Sequence, residues 1–191
     1  MNKILLAGLL LAALTGCKDE RETGVKPTNV IDVSAVADPN SFAQPEKVRI
    51  EHIDLDLGVD MDARVLRGSA LYRLQWLDES ASELVLDTRG IDIRSVQGLD
   101  GKKWRDLKFK LDDEDAMYGS ALRITMKQQL SQVRINYATR PEASGLQWLT
   151  PEMTASGQPF MFSQSQAIHA RSWVPLQDTP GVRFTYDARI R

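Results

Sequence analysis

The sequence contains few of the residues that most often bind zinc or form disulfides. Its 191 residues include two histidines, His52 and His169, and a single cysteine, Cys17. A structural zinc site needs several Cys or His ligands together, and a disulfide needs two cysteines. An intrachain disulfide is therefore excluded, and we expect no zinc to be bound by this chain.

An excess of basic charge is also missing. The chain has 24 Lys and Arg residues against 26 Asp and Glu residues, which gives a net charge of −2. A nucleic-acid interface needs a basic face, so we expect no nucleic-acid partner. The length is sufficient for one domain with a buried core.

The N-terminus has the pattern of a secretory signal. Lys3 precedes an apolar run at residues 4–14, which is too short to cross a bilayer. The run ends in LTGC, which resembles the bacterial lipoprotein signal and implies cleavage after residue 16 and lipidation of Cys17. An ordinary signal peptide followed by a free cysteine is the alternative. In the lipoproteins of two-membrane bacteria that this signal resembles, Asp after the cysteine favours the inner membrane, so Lys18 implies the periplasmic face of the outer membrane. A Gram-positive host would have only one membrane.

Residues 17–46 are predicted to be a flexible tether that begins with the lipidated cysteine. The segment opens with the charge run KDERE, contains three prolines and has no long apolar period. Such a composition buries too little surface to offset the entropy of ordering. A short irregular segment packed on the domain around residues 30–36 is the alternative.

From residue 47 onward the apolar period is two, which is typical of strands. Ile53, Leu55 and Leu57 alternate with acidic residues, while Val48 and Ile50 lie in the opposite phase. We therefore expect a bulge near residues 51–52. Further alternating segments lie at residues 68–76, 84–86, 91–96, 107–111, 122–126, 133–137 and 182–190, with turns at 87–90 and 98–101. The pattern predicts an all-β domain of mostly antiparallel sheet or sandwich.

The acidic side of the first strand offers a candidate cation site. Its carboxylates follow one another along a line rather than around a sphere, so a solvated strand face is favoured over a metal site. His52 is likewise interpreted as a residue of the sheet face. The carboxylates are those of Asp54, Asp56, Asp60 and Asp62.

Residues 140–181 form the most unusual stretch, a predicted long loop rich in Pro, Gly, Ser and Gln. Long loops in compact domains are often functional. His169, Asp178 and a serine, Ser163 or Ser165, have the residue types of a nucleophilic triad. No Gly-x-Ser-x-Gly elbow accompanies them, so catalytic use of His169 is disfavoured.

Gln164 and Gln166 have a spacing that would place both amides on one side of an extended segment. Each amide offers a donor and an acceptor, which suits a peptide backbone or a substrate amine. Polar loop residues that satisfy the backbone are the alternative from the residues alone.

The same stretch resembles one family through GLQWLTP at residues 145–151, FSQSQAIH at 162–169 and QDTP at 177–180. It is similar to the N-terminal β domain of zinc aminopeptidases of the aminopeptidase N and leukotriene hydrolase type. LVLDT at residues 84–88 extends the likeness, whereas Leu176 departs from it because relatives often have Cys there.

The resemblance implies a saddle-like β domain at residues 47–191 that lies over a thermolysin-like catalytic domain. It implies that Gln164, Ser165 and Gln166 line the substrate site, with Gln166 nearest the N-terminal residue of a peptide substrate. Arg171, Pro175, Asp178 and Pro180 would hold the loop in place.

The family's His-Glu-x-x-His and Gly-x-Met-Glu-Asn motifs do not occur in the sequence. The chain therefore contains no catalytic residues of its own, and Zn²⁺ would belong to the full-length parent enzyme. Since the last strand runs to Arg191 without a turn, we expect a fragment of a lipid-anchored aminopeptidase. A stand-alone, non-catalytic surface lipoprotein acting as a binding module is the alternative, and a second activity such as epoxide hydrolysis stays open.

Overall fold

The computed structural model describes residues 37–191. The predicted signal peptide, Cys17 and most of the predicted tether lie outside these residues. Within the described range, no helix is both long and apolar enough to cross a membrane.

Eleven strands and two short 3₁₀ helices make up the described chain. In order, the strands are β1 (Val48–Asp60), β2 (Val65–Trp76), β3 (Glu83–Thr88), β4 (Asp92–Asp100), β5 (Lys103–Asp106), β6 (Lys108–Leu111), β7 (Ser120–Thr125), β8 (Gln132–Ala138), β9 (Leu146–Leu149), β10 (Phe160–Ser163) and β11 (Thr185–Ile190). The 3₁₀ helices are Pro151–Met153 and Ala170–Ser172. The predicted all-β class is confirmed.

The strands form three sheets. The largest has six strands in the order β11-β1-β2-β8-β4-β5, a second has the order β3-β7-β6, and β9 pairs with β10. All pairs are antiparallel except β1 with β11, which is parallel. The prediction of a mostly antiparallel arrangement therefore holds, with the last strand as the exception.

The long first strand has the bulge that its sequence predicts. The register between β1 and β2 shifts between Ile50 and His52. The extra residue reverses the phase, so that Val48 and Ile50 on one side of the bulge and Ile53 on the other are all buried. The strand β1 therefore places apolar residues in the core on both sides of the bulge.

One apolar core lies between the six-stranded and three-stranded sheets. Its buried residues come from β1, β2, β4 and β8 on one side and from β3 and β7 on the other. The largest fully buried side chains include Tyr72 and Tyr137. Period-two alternation therefore positions one apolar face per sheet, as expected for packed layers.

Two predicted turns are displaced. The sequence predicts a hairpin turn at residues 98–101, but β4 continues through Asp100, and Gly98 pairs with Arg105 in the ladder. The chain reverses instead at Gly101, whose φ is +62°, a conformation that glycine adopts without a steric cost. Similarly, Asp87 and Thr88 were assigned to a turn but are the buried end of β3.

The last residues of the predicted tether contact the domain. Ser41 Oγ donates a hydrogen bond of 2.6 Å to one carboxylate oxygen of Asp87, and the backbone N–H of Phe42 donates one of 2.7 Å to the other. Residues 41–45 are accordingly half-buried. These bonds fasten the chain to the domain a few residues before β1 begins.

Candidate functional site

The stretch at residues 140–181 is more ordered than the predicted loop. It contains a two-stranded hairpin in which β9 and β10 pair antiparallel, with Leu149 opposite Phe160 and Leu146 opposite Ser163. The prediction of an irregular loop is wrong for these residues. The strands are only four residues long, too short for their alternation to stand out against the Pro and Gly around them.

The predicted substrate segment directly follows β10. Gln164 donates its backbone N–H to the carbonyl of Gly145 at 2.9 Å, which keeps the segment beside the start of β9. Gln164 and Gln166 are exposed, and Ser165 is half-buried. The structure therefore presents two amides to the surface from a segment whose backbone is anchored.

The two amides are not equivalent. Gln164 Oε1 accepts a 3.0 Å hydrogen bond from the backbone N–H of Gln166, so this side chain closes a local turn instead of extending beside its neighbour. The segment is not extended throughout, because the chain turns at residues 166–169. Within residues 37–191, the amide of Gln166 has no protein hydrogen-bond partner.

Gly145, Ser172 and Trp173 form a closely packed support for residues 164–166. Trp173 Nε1 donates to Ser165 Oγ at 3.1 Å, and Ser172 Oγ accepts from the backbone N–H of Gly145 at 2.8 Å. A Cβ atom at Gly145 would lie 2.6 Å from the carbonyl oxygen of His169. The glycine therefore permits a close backbone approach that any side chain would obstruct.

Arg171 anchors the next part of the chain in the core. Its side chain is fully buried and donates through Nε to Asp178 Oδ2 at 3.0 Å and through Nη1 to the carbonyl of Tyr118 at 3.0 Å. Nη2 donates to the carbonyl of Asp178. These are the loop-fixing contacts that the resemblance implies for Arg171 and Asp178.

Asp87 joins this anchor to the residues before β1. Burial raises the pKa of its carboxyl, although hydrogen bonds from Ser41 and Phe42, the nearby charge of Arg171 and the N–H of Asp178 all act in the opposite direction. Arg171 Nη1 lies 3.8 Å away, with both side chains fully buried. A carboxylate with this many donors holds three separate parts of the chain together.

Pro175 contributes through its carbonyl. Tyr72 on β2 donates its hydroxyl to this oxygen at 2.6 Å in the core, and burial raises the pKa of Tyr72 well above its ordinary value. The hydroxyl thus stays protonated and available as a donor. Sequence reasoning did not single out Tyr72, since its position in an alternating strand indicates only that it is buried.

The residues of the weighed triad do not come together. His169 Nδ1 lies 2.8 Å from Ser144 Oγ, whereas Asp178 bonds to Arg171. In the described part of the chain, no carboxylate is within hydrogen-bond distance of His169. A base without an orienting acid lacks the arrangement that activates a serine, which agrees with the structural role favoured for His169.

An open apolar pocket borders residues 164–166. The sequence does not predict it. It is lined by Ile53, Leu55, Ser163, Ser165, Ala170, Trp173, Val174, Leu176, Phe184 and Tyr186. Leu176 and Val174 follow the anchored Arg171, and Tyr186 belongs to the exposed strand β11. No short-range sequence pattern could indicate this pocket, because its lining residues come from two distant parts of the chain.

Comparison with known proteins identifies the family. Residues 49–191 match the Peptidase M1 N-terminal domain. The chain is 40% identical over 161 residues to leukotriene A-4 hydrolase of Xenopus laevis, covering 81% of this chain and 26% of that protein. It is 40% identical over 157 residues to leucine aminopeptidase 2 of Yarrowia lipolytica, covering 80% and 24%.

A solved structure gives the same assignment. The native leukotriene A4 hydrolase of Saccharomyces cerevisiae superposes with a TM-score of 0.74 at 32% identity, covering 81% of this chain and 25% of that one. The chain thus spans about a quarter of the length of the relatives it matches. It belongs to the Peptidase M1 family, and residues 49–191 are its N-terminal β domain.

Proposed function

We propose that this chain is the substrate-cleft domain of a longer, lipid-anchored zinc aminopeptidase that removes N-terminal residues from peptides. The observation that carries the proposal is the segment at residues 164–166, which holds the exposed Gln166 amide on an anchored backbone. Membership of the Peptidase M1 family supplies the reaction class. The catalytic Zn²⁺ and its ligands would lie in the part of the protein that follows this domain.

The three proposed substrate residues would have different roles. Gln166 offers an unoccupied amide that can accept from a free peptide amine and donate to a carbonyl. Gln164 has its oxygen bound to the backbone of Gln166, which leaves its NH₂ group for a substrate. Ser165 accepts from Trp173 and so fixes the segment as much as it lines the site.

This chain's own contribution to catalysis would be to bind and orient the peptide. In such an enzyme, the metal centre of the following domain would supply the chemistry of hydrolysis. Interactions that align the amine end of a peptide with that centre lower the entropic part of the barrier. The hydrogen bond from Trp173, two residues after the buried Arg171, to Ser165 suits that positioning role.

Anchoring to a membrane is part of the same proposal. Lipidation at Cys17 would hold the domain at the periplasmic face of the outer membrane. Several acyl chains on one residue give stable attachment, at about 0.8 kcal/mol per buried CH₂ group. Metabolic labelling with an alkyne fatty acid should mark the protein, and Cys17→Ser should remove the label.

The experiment that tests the function uses the full-length gene product. The DNA that follows codon 191 should encode Gly-x-Met-Glu-Asn and His-Glu-x-x-His. The complete protein should release amino acids from peptide amides in a chelator-sensitive reaction. Gln166→Ala should raise KM for these substrates, while the exposed Gln147 on β9, changed to Ala, should leave KM unaltered.

Two outcomes would overturn the proposal. A stop after codon 191 without downstream coding would favour the alternative of a stand-alone, non-catalytic lipoprotein. An active enzyme in which Gln166→Ala and Gln147→Ala behave alike would remove the residues of this segment from the substrate site. In the 191-residue chain alone, we expect no peptide hydrolysis.

A further inference from the structure

The parallel strand β11 brings an acidic side chain next to His52 on the outer face of the large sheet. His52 and Asp54 lie two residues apart on β1, and Asp187 on β11 is the register partner of Asp54. Ile53, the one residue between them on β1, is buried in the core. The three polar side chains therefore share the solvent face of two neighbouring strands.

The separation of their polar atoms fits a small cation. His52 Nε2 lies 3.2 Å from Asp54 Oδ1 and 3.4 Å from Asp187 Oδ2, and one ligand atom from each residue lies within 4.8 Å of the others. A tetrahedral Zn²⁺ ion with bonds of 2.0–2.1 Å has ligand atoms about 3.3–3.4 Å apart. The nitrogen-to-oxygen distances match this spacing.

The other ring nitrogen of His52 has a hydrogen-bond partner of its own. Thr185 Oγ1 donates to the carbonyl of Glu51 at 3.4 Å, so its oxygen is an acceptor for His52 Nδ1, 2.7 Å away. When Nδ1 donates to this oxygen, the lone pair of Nε2 faces the two carboxylate oxygens, an arrangement that a cation between them would stabilise.

The surroundings leave these atoms available. His52 is 13% exposed, Asp54 35% and Asp187 82%. Arg73 approaches Asp54 through the other oxygen, Oδ2, at 3.4 Å, so Oδ1 faces His52 alone. A hydrogen bond to the second ring nitrogen, as made here by Thr185, is the usual device that orients a metal-binding histidine.

We propose that His52, Asp54 and Asp187 bind a divalent first-row transition metal ion, for which Zn²⁺ is the probe. One imidazole nitrogen and two carboxylate oxygens form a ligand set that suits this class of ion better than Mg²⁺ or Ca²⁺. The ion joins β11 to β1 across their parallel pairing. Its role is structural, since it fastens an edge strand whose residues are all exposed.

The proposal differs from the expectation drawn from the sequence. From the sequence, Asp54 belongs to a line of carboxylates, and His52 has no second histidine or cysteine nearby. The third ligand comes from the far end of the chain, and only the pairing of β11 with β1 places it there.

The test is calorimetric titration of Zn²⁺ into the full chain after treatment with a chelator. A Cys17→Ser background removes the single thiol, which could otherwise take up the ion. We expect one Zn²⁺ per chain, and Asp187→Asn should weaken binding about tenfold or more. Asp187 is largely exposed, so the variant should retain the unfolding midpoint measured in chelator.

The matched control is Asp56→Asn, which makes the same charge change two residues further along β1, where Asp56 bonds to Arg191. Its affinity should stay within about threefold of the parent chain. Because the chain has only two histidines, ring signals can be assigned by NMR. Zn²⁺ should shift those of His52 and leave those of His169 in place.

Three results would overturn the proposal. The first is a titration of the parent chain that shows no heat of binding and no uptake of one Zn²⁺ per chain. The second is equal affinity of Asp187→Asn and Asp56→Asn. The third is a Zn²⁺-induced shift at His169 with none at His52.

Discussion

Gln177 completes the hydrogen bonding of β1 at Ile50. Its Oε1 accepts from the backbone N–H of Ile50 at 2.9 Å, and its Nε2 donates to the carbonyl of Val48 at 2.8 Å. The Gln177 side chain is buried and acts in place of a neighbouring strand. The chain after Arg171 is thereby connected to β1 just before the bulge.

Replacing this amide should destabilise the domain. In Gln177→Ala, a buried N–H and a buried carbonyl lose their partners, so the free energy of unfolding should fall by about 2–4 kcal/mol. Urea denaturation of the 191-residue chain measures the change. The exposed Gln158, changed to Ala, serves as control and should alter the value by less than about 0.5 kcal/mol. Similar values for both variants would mean that water replaces the Gln177 amide.

The two buried tyrosines should respond differently to loss of the hydroxyl. Tyr72→Phe leaves the carbonyl of Pro175 unpaired and should cost about 1–2 kcal/mol of unfolding free energy. The hydroxyl of Tyr137 is buried without a hydrogen-bond partner among residues 37–191. Tyr137→Phe should therefore be neutral or stabilising, and denaturation of the two variants side by side provides the comparison. Equal losses would show that Tyr137 has a partner, such as an ordered water molecule.

Asp87 should make a contribution to stability that falls as pH rises. Since burial raises its folded-state pKa above the ordinary unfolded value of about 3.9, the folded state binds the proton more tightly. The stabilisation by Asp87 is largest when the pH is below the pKa of the carboxyl in the unfolded state. It declines as the pH rises through the pKa of the carboxyl in the folded state.

The difference in unfolding free energy between the parent chain and Asp87→Asn isolates this carboxyl. Other carboxylates, such as Asp60 and Asp112, have lowered pKa values and cancel in the comparison. The difference should decrease from pH 4 upward. A difference that grows with pH would mean that the charge of Arg171 outweighs burial and lowers the pKa of Asp87.

Gly145 should be intolerant of any side chain. In Gly145→Ala, the new Cβ would lie 2.6 Å from the carbonyl oxygen of His169 and 2.9 Å from Ser172 Oγ. We expect a loss of about 1–3 kcal/mol, together with faster hydrogen exchange at residues 164–173. Gly58→Ala is the control, since its Cβ would meet only the carbonyl of Arg67 at an ordinary 3.6 Å. Unchanged exchange in Gly145→Ala would show that the backbone around Gly145 shifts to admit the new Cβ atom without loosening residues 164–173.

Local periodicity predicted much of this fold, because strands with one buried face carry the signal in every second residue. The bulge of β1 was predicted in this way, since Ile50 and Ile53 lie in opposite phases. The exposed positions of Gln164 and Gln166 follow from their polarity.

Other features depend on contacts that no window of sequence contains. The pairing of β11 with β1 joins residues more than a hundred positions apart and determines the neighbours of His52. The β9–β10 hairpin is too short for its period to be visible. The role of Asp87 at the end of β3 depends on Ser41 and Arg171, which approach it only in the folded chain.

The parallel pairing of β1 and β11 also gives the domain a direction of mechanical strength. A pull on the N-terminal end of β1 and the C-terminal end of β11 draws the two strands past each other along their length. The ladder from His52–Thr185 to Leu57–Ile190 is then loaded in shear, and its bonds must break together. Tension applied between these two strand ends would act along this resistant axis.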